Sequence, residues 1–193
     1  MNDPGDISRR DLLRGRVGSR RSPPASGAGL GSDSQRRVPL PVHRPPGAAP
    51  EAEFLAGCTR CGACVDACPV DAIVLAPPRF REAAGTPMID AHTTACVMCA
   101  DTPCIASCEP DVLRAGRPLK MGTAWIDRMN CLAWTGSFCT VCSERCPVPG
   151  AITLEQGRPI IVESVCTGCG VCHGVCPAPV NAVGIMPLPD RTE

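Results

Sequence analysis

The chain has 193 residues and a formal net charge of zero, yet aromatic residues make up only 3% of it while sixteen residues are cysteine. A conventional packed core is therefore poorly supplied, because sixteen of the residues behind the 44% apolar content are cysteines and much of the interior would have to be inorganic. Charge is also uneven: residues 1–50 hold nine Arg against four Asp, and the remainder holds ten Lys and Arg against fifteen Asp and Glu, with no basic groove interleaved with aromatics that would point to nucleic acid.

The first fifty residues contain eight Pro, frequent Gly and Ser, and no Cys, which reads as a disordered leader over residues 1–50 ahead of a body over residues 51–193. Within it, Ser8-Arg9-Arg10-Asp11-Leu12-Leu13-Arg14 looks like the start of a twin-arginine export signal. The apolar stretch of such a signal does not follow, since the chain continues Gly15-Arg16-Val17-Gly18-Ser19-Arg20-Arg21. The expectation is a cytoplasmic protein, with periplasmic export by the twin-arginine route as the alternative. No stretch approaches the ~20 apolar residues of a membrane-spanning helix.

From Phe54 onward four similar units follow one another, with their first cysteines at Cys58, Cys96, Cys131 and Cys166. The expected unit is an apolar stretch, a cysteine loop, a short helix carrying the fourth Cys, and a second apolar stretch. Met88-Ile89, Ala124-Trp125-Ile126 and Ile160-Ile161-Val162 are the expected leading strands; Ala72 to Leu75, Ala151 to Leu154 and Ala182 to Ile185 are the trailing ones. Gln156-Gly157 reads as a hairpin turn.

The cysteines fall into four runs: Cys58, Cys61, Cys64, Cys68; Cys96, Cys99, Cys104, Cys108; Cys131, Cys139, Cys142, Cys146; and Cys166, Cys169, Cys172, Cys176. The first and last have the spacing C-x2-C-x2-C-x3-C followed by Pro69 or Pro177, the run of bacterial [4Fe–4S] ferredoxins, in which the fourth Cys serves the other cluster. Soft thiolates in local threes satisfy iron. A disulfide scaffold or structural zinc is the weaker reading, since zinc usually takes two separated C-x2-C pairs. All sixteen cysteines are thus candidate ligands of four [4Fe–4S] clusters. The expected fold is α+β: two bicluster ferredoxin-like modules with little regular secondary structure. Residues alone leave two pairings open. Sequential pairing groups Cys58, Cys61 and Cys64 with Cys108; nested pairing groups them with Cys176.

Two runs are irregular, with four residues before Cys104 and seven between Cys131 and Cys139. Together with Gly85-Thr86-Pro87, Met121-Gly122-Thr123-Ala124 and Cys166-Thr167-Gly168-Cys169-Gly170, they resemble the NapG and MauM ferredoxin-type proteins over residues 54–188. The leader is similar to that of NapF. The resemblance implies electron transfer, with a quinol-linked membrane partner for the NapG type, or, for NapF, an accessory role binding a metalloenzyme before its export. Four-cluster subunits of molybdenum oxidoreductases are similar in having a second run with an enlarged gap, and that resemblance implies nested pairing.

Cys108 departs from the other runs in being followed by Glu109-Pro110, and a nearby Glu109 would lower the potential of its cluster. His173, beside Cys172, is a candidate for proton coupling, although a loop His is ordinarily surface. Trp125 and Trp134 are candidate water shields or plain packing. No nucleophile–base pair, phosphate loop or flavin motif is present, so the chain reads as an electron carrier between redox protein partners and not as an enzyme; oligomeric state is not legible.

Overall fold

Short apolar stretches flank each cysteine run, too short for a continuous sheet, and each finds one neighbour. In the computed structural model, which describes residues 41–189, they form three separate two-stranded sheets. β1 (Ile73–Leu75) pairs antiparallel with β2 (Pro87–Ile89), in register Ile73 to Ile89. β4 (Ile152–Glu155) and β5 (Arg158–Ile161) form a hairpin whose turn residues Gln156 and Gly157 have φ of 52° and 76°. Two consecutive left-handed residues make the turn that matches strand twist, as the Gln156-Gly157 pair promised. β3 (Gly122–Ile126) pairs with β6 (Val183–Pro187) over five residues, Gly122 opposite Pro187 and Ile126 opposite Val183.

Among the described residues five α-helices, together with a 3-10 helix over Pro78–Ala83, complete the body: α1 (Glu51–Gly57) and four single turns, α2 (Ala63–Asp66), α3 (Pro103–Ala106), α4 (Val141–Glu144) and α5 (Val171–Gly174). α2 packs on α3 and α4 on α5. The first two runs therefore build one module with β1–β2 between them, and the last two build a second around β4–β5. Nested pairing, with the middle runs forming an inserted module, is corrected. The reason is local: each strand pair returns the chain to the run it has just left.

Each single-turn helix carries the third cysteine of its run, Cys64, Cys104, Cys142 or Cys172, and not the fourth as expected from the repeat. Four residues make one turn only. The fourth cysteine lies past the helix end, where the chain has already changed direction.

Part of the leader expected over residues 1–50 is packed. Residues 42–49 are buried, with Val42 against Ala76, Ala83 and Met88. The carbonyl of His43 accepts from the Ile89 amide at 2.6 Å, and Ala48 forms a single antiparallel bridge to Leu113. Residues 1–40, including Arg9 and Arg10, lie outside the described residues. Arg44, fully buried, donates to Thr86 Oγ1 at 2.6 Å, to the Pro87 carbonyl at 2.8 Å and through two nitrogens to the Glu51 carboxylate, with its guanidinium 4.3 Å from the Phe54 ring centre. A buried guanidinium is tolerated only with its donors so satisfied.

Candidate metal centres

The cysteine loops are wound by residues in left-handed conformation. Arg60, Met98 and Gly168, each just before the second Cys of its run, have φ of 59°, 55° and 72°, and the residues capping the following helices, Gly62, Thr102 and Gly170, have 83°, 40° and 91°. Such alternation turns successive backbone amides toward one point and favours an anionic occupant. In the third run Gly136 (φ 100°) turns the longer Cys131–Cys139 loop, which is closed by bonds from Trp134 and Thr135 to the Cys131 carbonyl.

Four sets of four thiols result. Cys58, Cys61, Cys64 and Cys108 line one cavity. Cys68, Cys96, Cys99 and Cys104 line a second, otherwise walled by Val70, Ile73, Ile89 and Val97. Cys131, Cys139, Cys142 and Cys176 line a third with Ile126, Leu132 and Val183. The four remaining thiols, Cys146, Cys166, Cys169 and Cys172, make the fourth set; Cys169, Cys166 and Cys146 disfavour ionisation of Cys172, as does Cys142 of the adjoining third set. Every set takes three thiols from one run and one from the partner run. Among the described residues no three His, Cys, Asp or Glu side chains sit as a single bound ion would need; the sulfurs stand around cavities.

None of the sixteen cysteines is paired in a disulfide. Burial, helped by the thiols around them, pushes Cys64 and Cys172 up to about 12. Burial likewise raises Cys96 and Cys142 to about 11, and raises Cys104 and Cys169. Four thiolates cannot share a dry pocket without a positive partner. A [4Fe–4S] core fits that requirement: its irons supply the charge and its size suits a cavity lined on four sides by soft donors. Amides already address the sulfurs: Ala72 to Cys68 Sγ at 3.3 Å, Leu113 to Cys108 Sγ at 3.4 Å and Ala124 to Cys166 Sγ at 3.4 Å. Such bonds tune a cluster's potential.

The irregular end of the second run keeps its turn. Asp111 (φ 59°) donates its amide to the Cys108 carbonyl at 3.1 Å, as Asp71 (φ 54°) does to Cys68 at 3.3 Å, so Pro110 restrains the chain one residue later than Pro69. Glu109 is exposed to solvent. His173 is neither free nor isolated: its Nδ1 lies 2.5 Å from the Val183 carbonyl and its Nε2 3.1 Å from His92 Nδ1. That pairing spans 81 positions, so sequence reading had no means to find it. Trp134 packs against the small core of Cys131, Ala133 and Ala182, with Arg128 and Arg158 over its ring, whereas Trp125 is half exposed and lies across Gly184.

A family model described as a 4Fe–4S dicluster domain matches residues 57–112, which takes in all eight cysteines of the first module. The methylamine utilization ferredoxin-type protein MauM of Methylorubrum extorquens is 36% identical, covering 97% of this chain and 92% of that protein. The chain belongs to the MauM/NapG ferredoxin-type family. The NapG protein of Escherichia coli is 37% identical over 93% of this chain and 86% of its own length, and NapF of the same organism is 31% identical over 69% and 79%. Membership of the MauM/NapG family makes this an iron–sulfur electron-transfer protein. Among the described residues no helix is long and apolar enough to cross a membrane.

Proposed function

We propose that this MauM/NapG-type protein holds four [4Fe–4S] clusters, one in each four-thiol set, and relays single electrons between a donor, quinol-linked, and an oxidoreductase. The observation that carries the reading is that twelve of the sixteen thiols line three separate cavities, four to each, three members from one run and one from its partner, and that the remaining four follow the same rule. When bound, the clusters supply outer-sphere one-electron chemistry. The chain's own residues hold them, aim amides at their sulfurs and keep water out; no residue is assigned a catalytic step, and the protein is read as a carrier, not an enzyme.

The test is anaerobic purification with iron, sulfide and zinc analysis and EPR of the dithionite-reduced protein. About sixteen iron and sixteen sulfide per chain with interacting signals are expected. Stoichiometric zinc without sulfide would sink the proposal. The similarity to NapF favours a second reading, an accessory protein that binds a metalloenzyme before export and donates a labile cluster; transfer of iron and sulfide to an apo-enzyme would select it. We also place the protein in the cytoplasm, because Arg9 and Arg10 are not followed by an apolar segment. A reporter fused to residues 1–50 that reached the periplasm in a twin-arginine-dependent manner would overturn that placement.

A further inference from the structure

The two modules meet through residues of the second and fourth runs. The amide of Cys96 donates to the carbonyl of Cys169 at 3.0 Å, so two residues of different cysteine sets are joined by one backbone hydrogen bond across the joint. The approach leaves no room for side chains. A Cβ on Gly170 would stand 2.6 Å from the Ala91 Cβ of the first module.

Burial follows the same line. Cys169 belongs to the apolar core that contains Cys64, Cys104 and Met121, with Val171 packed against it. Cys166 and Cys172 lie in the next core with Cys142, and Cys131 lies in a further one with Cys139 and Cys176. These overlaps put the thiol sets in an order that differs from the order of the runs: Cys58, Cys61, Cys64, Cys108, then Cys68, Cys96, Cys99, Cys104, then Cys146, Cys166, Cys169, Cys172, and last Cys131, Cys139, Cys142, Cys176.

We infer that the Cys96–Cys169 contact is the electron bridge between the modules, so that the wire runs through the runs in the order first, second, fourth, third. The inference rests on the four-cluster reading. In each transfer one cluster loses one electron and its neighbour gains it; no bond forms or breaks and no further oxidant or reductant takes part. Tunnelling falls steeply with distance, so Gly170 and Ala91, which let the modules approach, are positioning residues that set the rate of this crossing. The sets at Cys58 and Cys131 are then the ends of the wire, although the third run stands directly after the second in the chain.

The test uses the full-length holoprotein and magnetic coupling between reduced clusters. In Cys99→Ala, which empties the second position, coupling between the modules is expected to be lost while coupling within the second module remains. In Cys61→Ala and Cys139→Ala, which empty the ends, coupling between the modules is expected to persist. Persistence in Cys99→Ala together with loss in Cys139→Ala would overturn the order. A second variant keeps all sixteen thiols and leaves the cysteine loops untouched: Ala91→Val, on the first-module side of the joint facing Gly170, is expected to retain wild-type iron and to weaken the coupling between modules, and undiminished coupling there would overturn the role of the joint. Iron analysis separates the two ideas. Far fewer than about sixteen iron in the unaltered protein defeats the four-cluster reading itself, whereas full iron with another coupling pattern defeats only the order.

Discussion

In the second module the strands lying outside the two cysteine runs, β3 and β6, pair over five residues, whereas in the first module the corresponding segments meet at one bridge, Ala48 with Leu113. The first module is closed instead by Arg44, which ties the stretch before α1 to Glu51, Thr86 and the Pro87 carbonyl. A backbone ladder tolerates most changes of side chain, because its bonds belong to the main chain. A buried ion pair does not, because removing one partner leaves the other desolvated and alone. Equivalent thiol sets are thus held by frames with different weaknesses.

The largest effects should come from the thiols. Cys58→Ala and Cys108→Ala should each remove about four of about sixteen iron, leave the same residual EPR spectrum and destabilise the first module, since metal binding and folding are one event. Cys166→Ala should do the same to the second module. A residual spectrum shared by Cys58→Ala and Cys176→Ala, in place of Cys108→Ala, would restore nested pairing.

Next come the two partners of the ion pair, measured by anaerobic urea unfolding of the holoprotein. Glu51→Gln strands a fully buried guanidinium and should cost about 3–5 kcal/mol. Arg44→Met should cost less, about 1–3 kcal/mol, because the Glu51 side chain it strands is 32% exposed and takes up water. The reverse ranking would mean that Arg44 acts through packing on Phe54 and not through charge.

Gly122→Ala probes the ladder. Its Cβ would lie 2.5 Å from the Met186 carbonyl on the facing strand, and overpacking of this kind costs about 1–3 kcal/mol. The loss should appear in the unfolding of the second module alone. Smallest is Gly157→Ala in the β4–β5 turn, where φ is 76° and a Cβ meets nothing within 4 Å. Only left-handed strain remains, about 1–2 kcal/mol, with iron content unchanged; a loss of iron would show that the hairpin, too, supports a cluster.

Several of these features are legible in residue order. The thiol spacing identifies the runs, and a Cys-x-x-Cys loop brings its sulfurs together by local geometry alone. The Gln156-Gly157 turn and the leading strands around Met88, Trp125 and Ile160 follow from composition within a few positions. Arg44 was not legible: it sits in a Pro-rich stretch that reads as leader, and its partners at Glu51 and Thr86 become neighbours only when β2 and α1 are in place. The same holds for His92 with His173, and for Cys108, whose turn survives because Pro110 and Asp111 take over from a proline at the next position.

The sequence by itself determined how many thiols there are, how they group along the chain and that soft metal is their natural partner, because each of those properties lives within a few residues. Which run completes which set, and in what order the sets stand, was decided by the tertiary structure. The packing of α2 on α3 and α4 on α5, and the close approach of Gly170 to Ala91 of the neighbouring module, are interactions between segments far apart in the chain. A ligand spacing is a local constraint on loop geometry; the partner of a fourth cysteine, and the neighbour of a completed set, are fixed only by how whole modules close and touch.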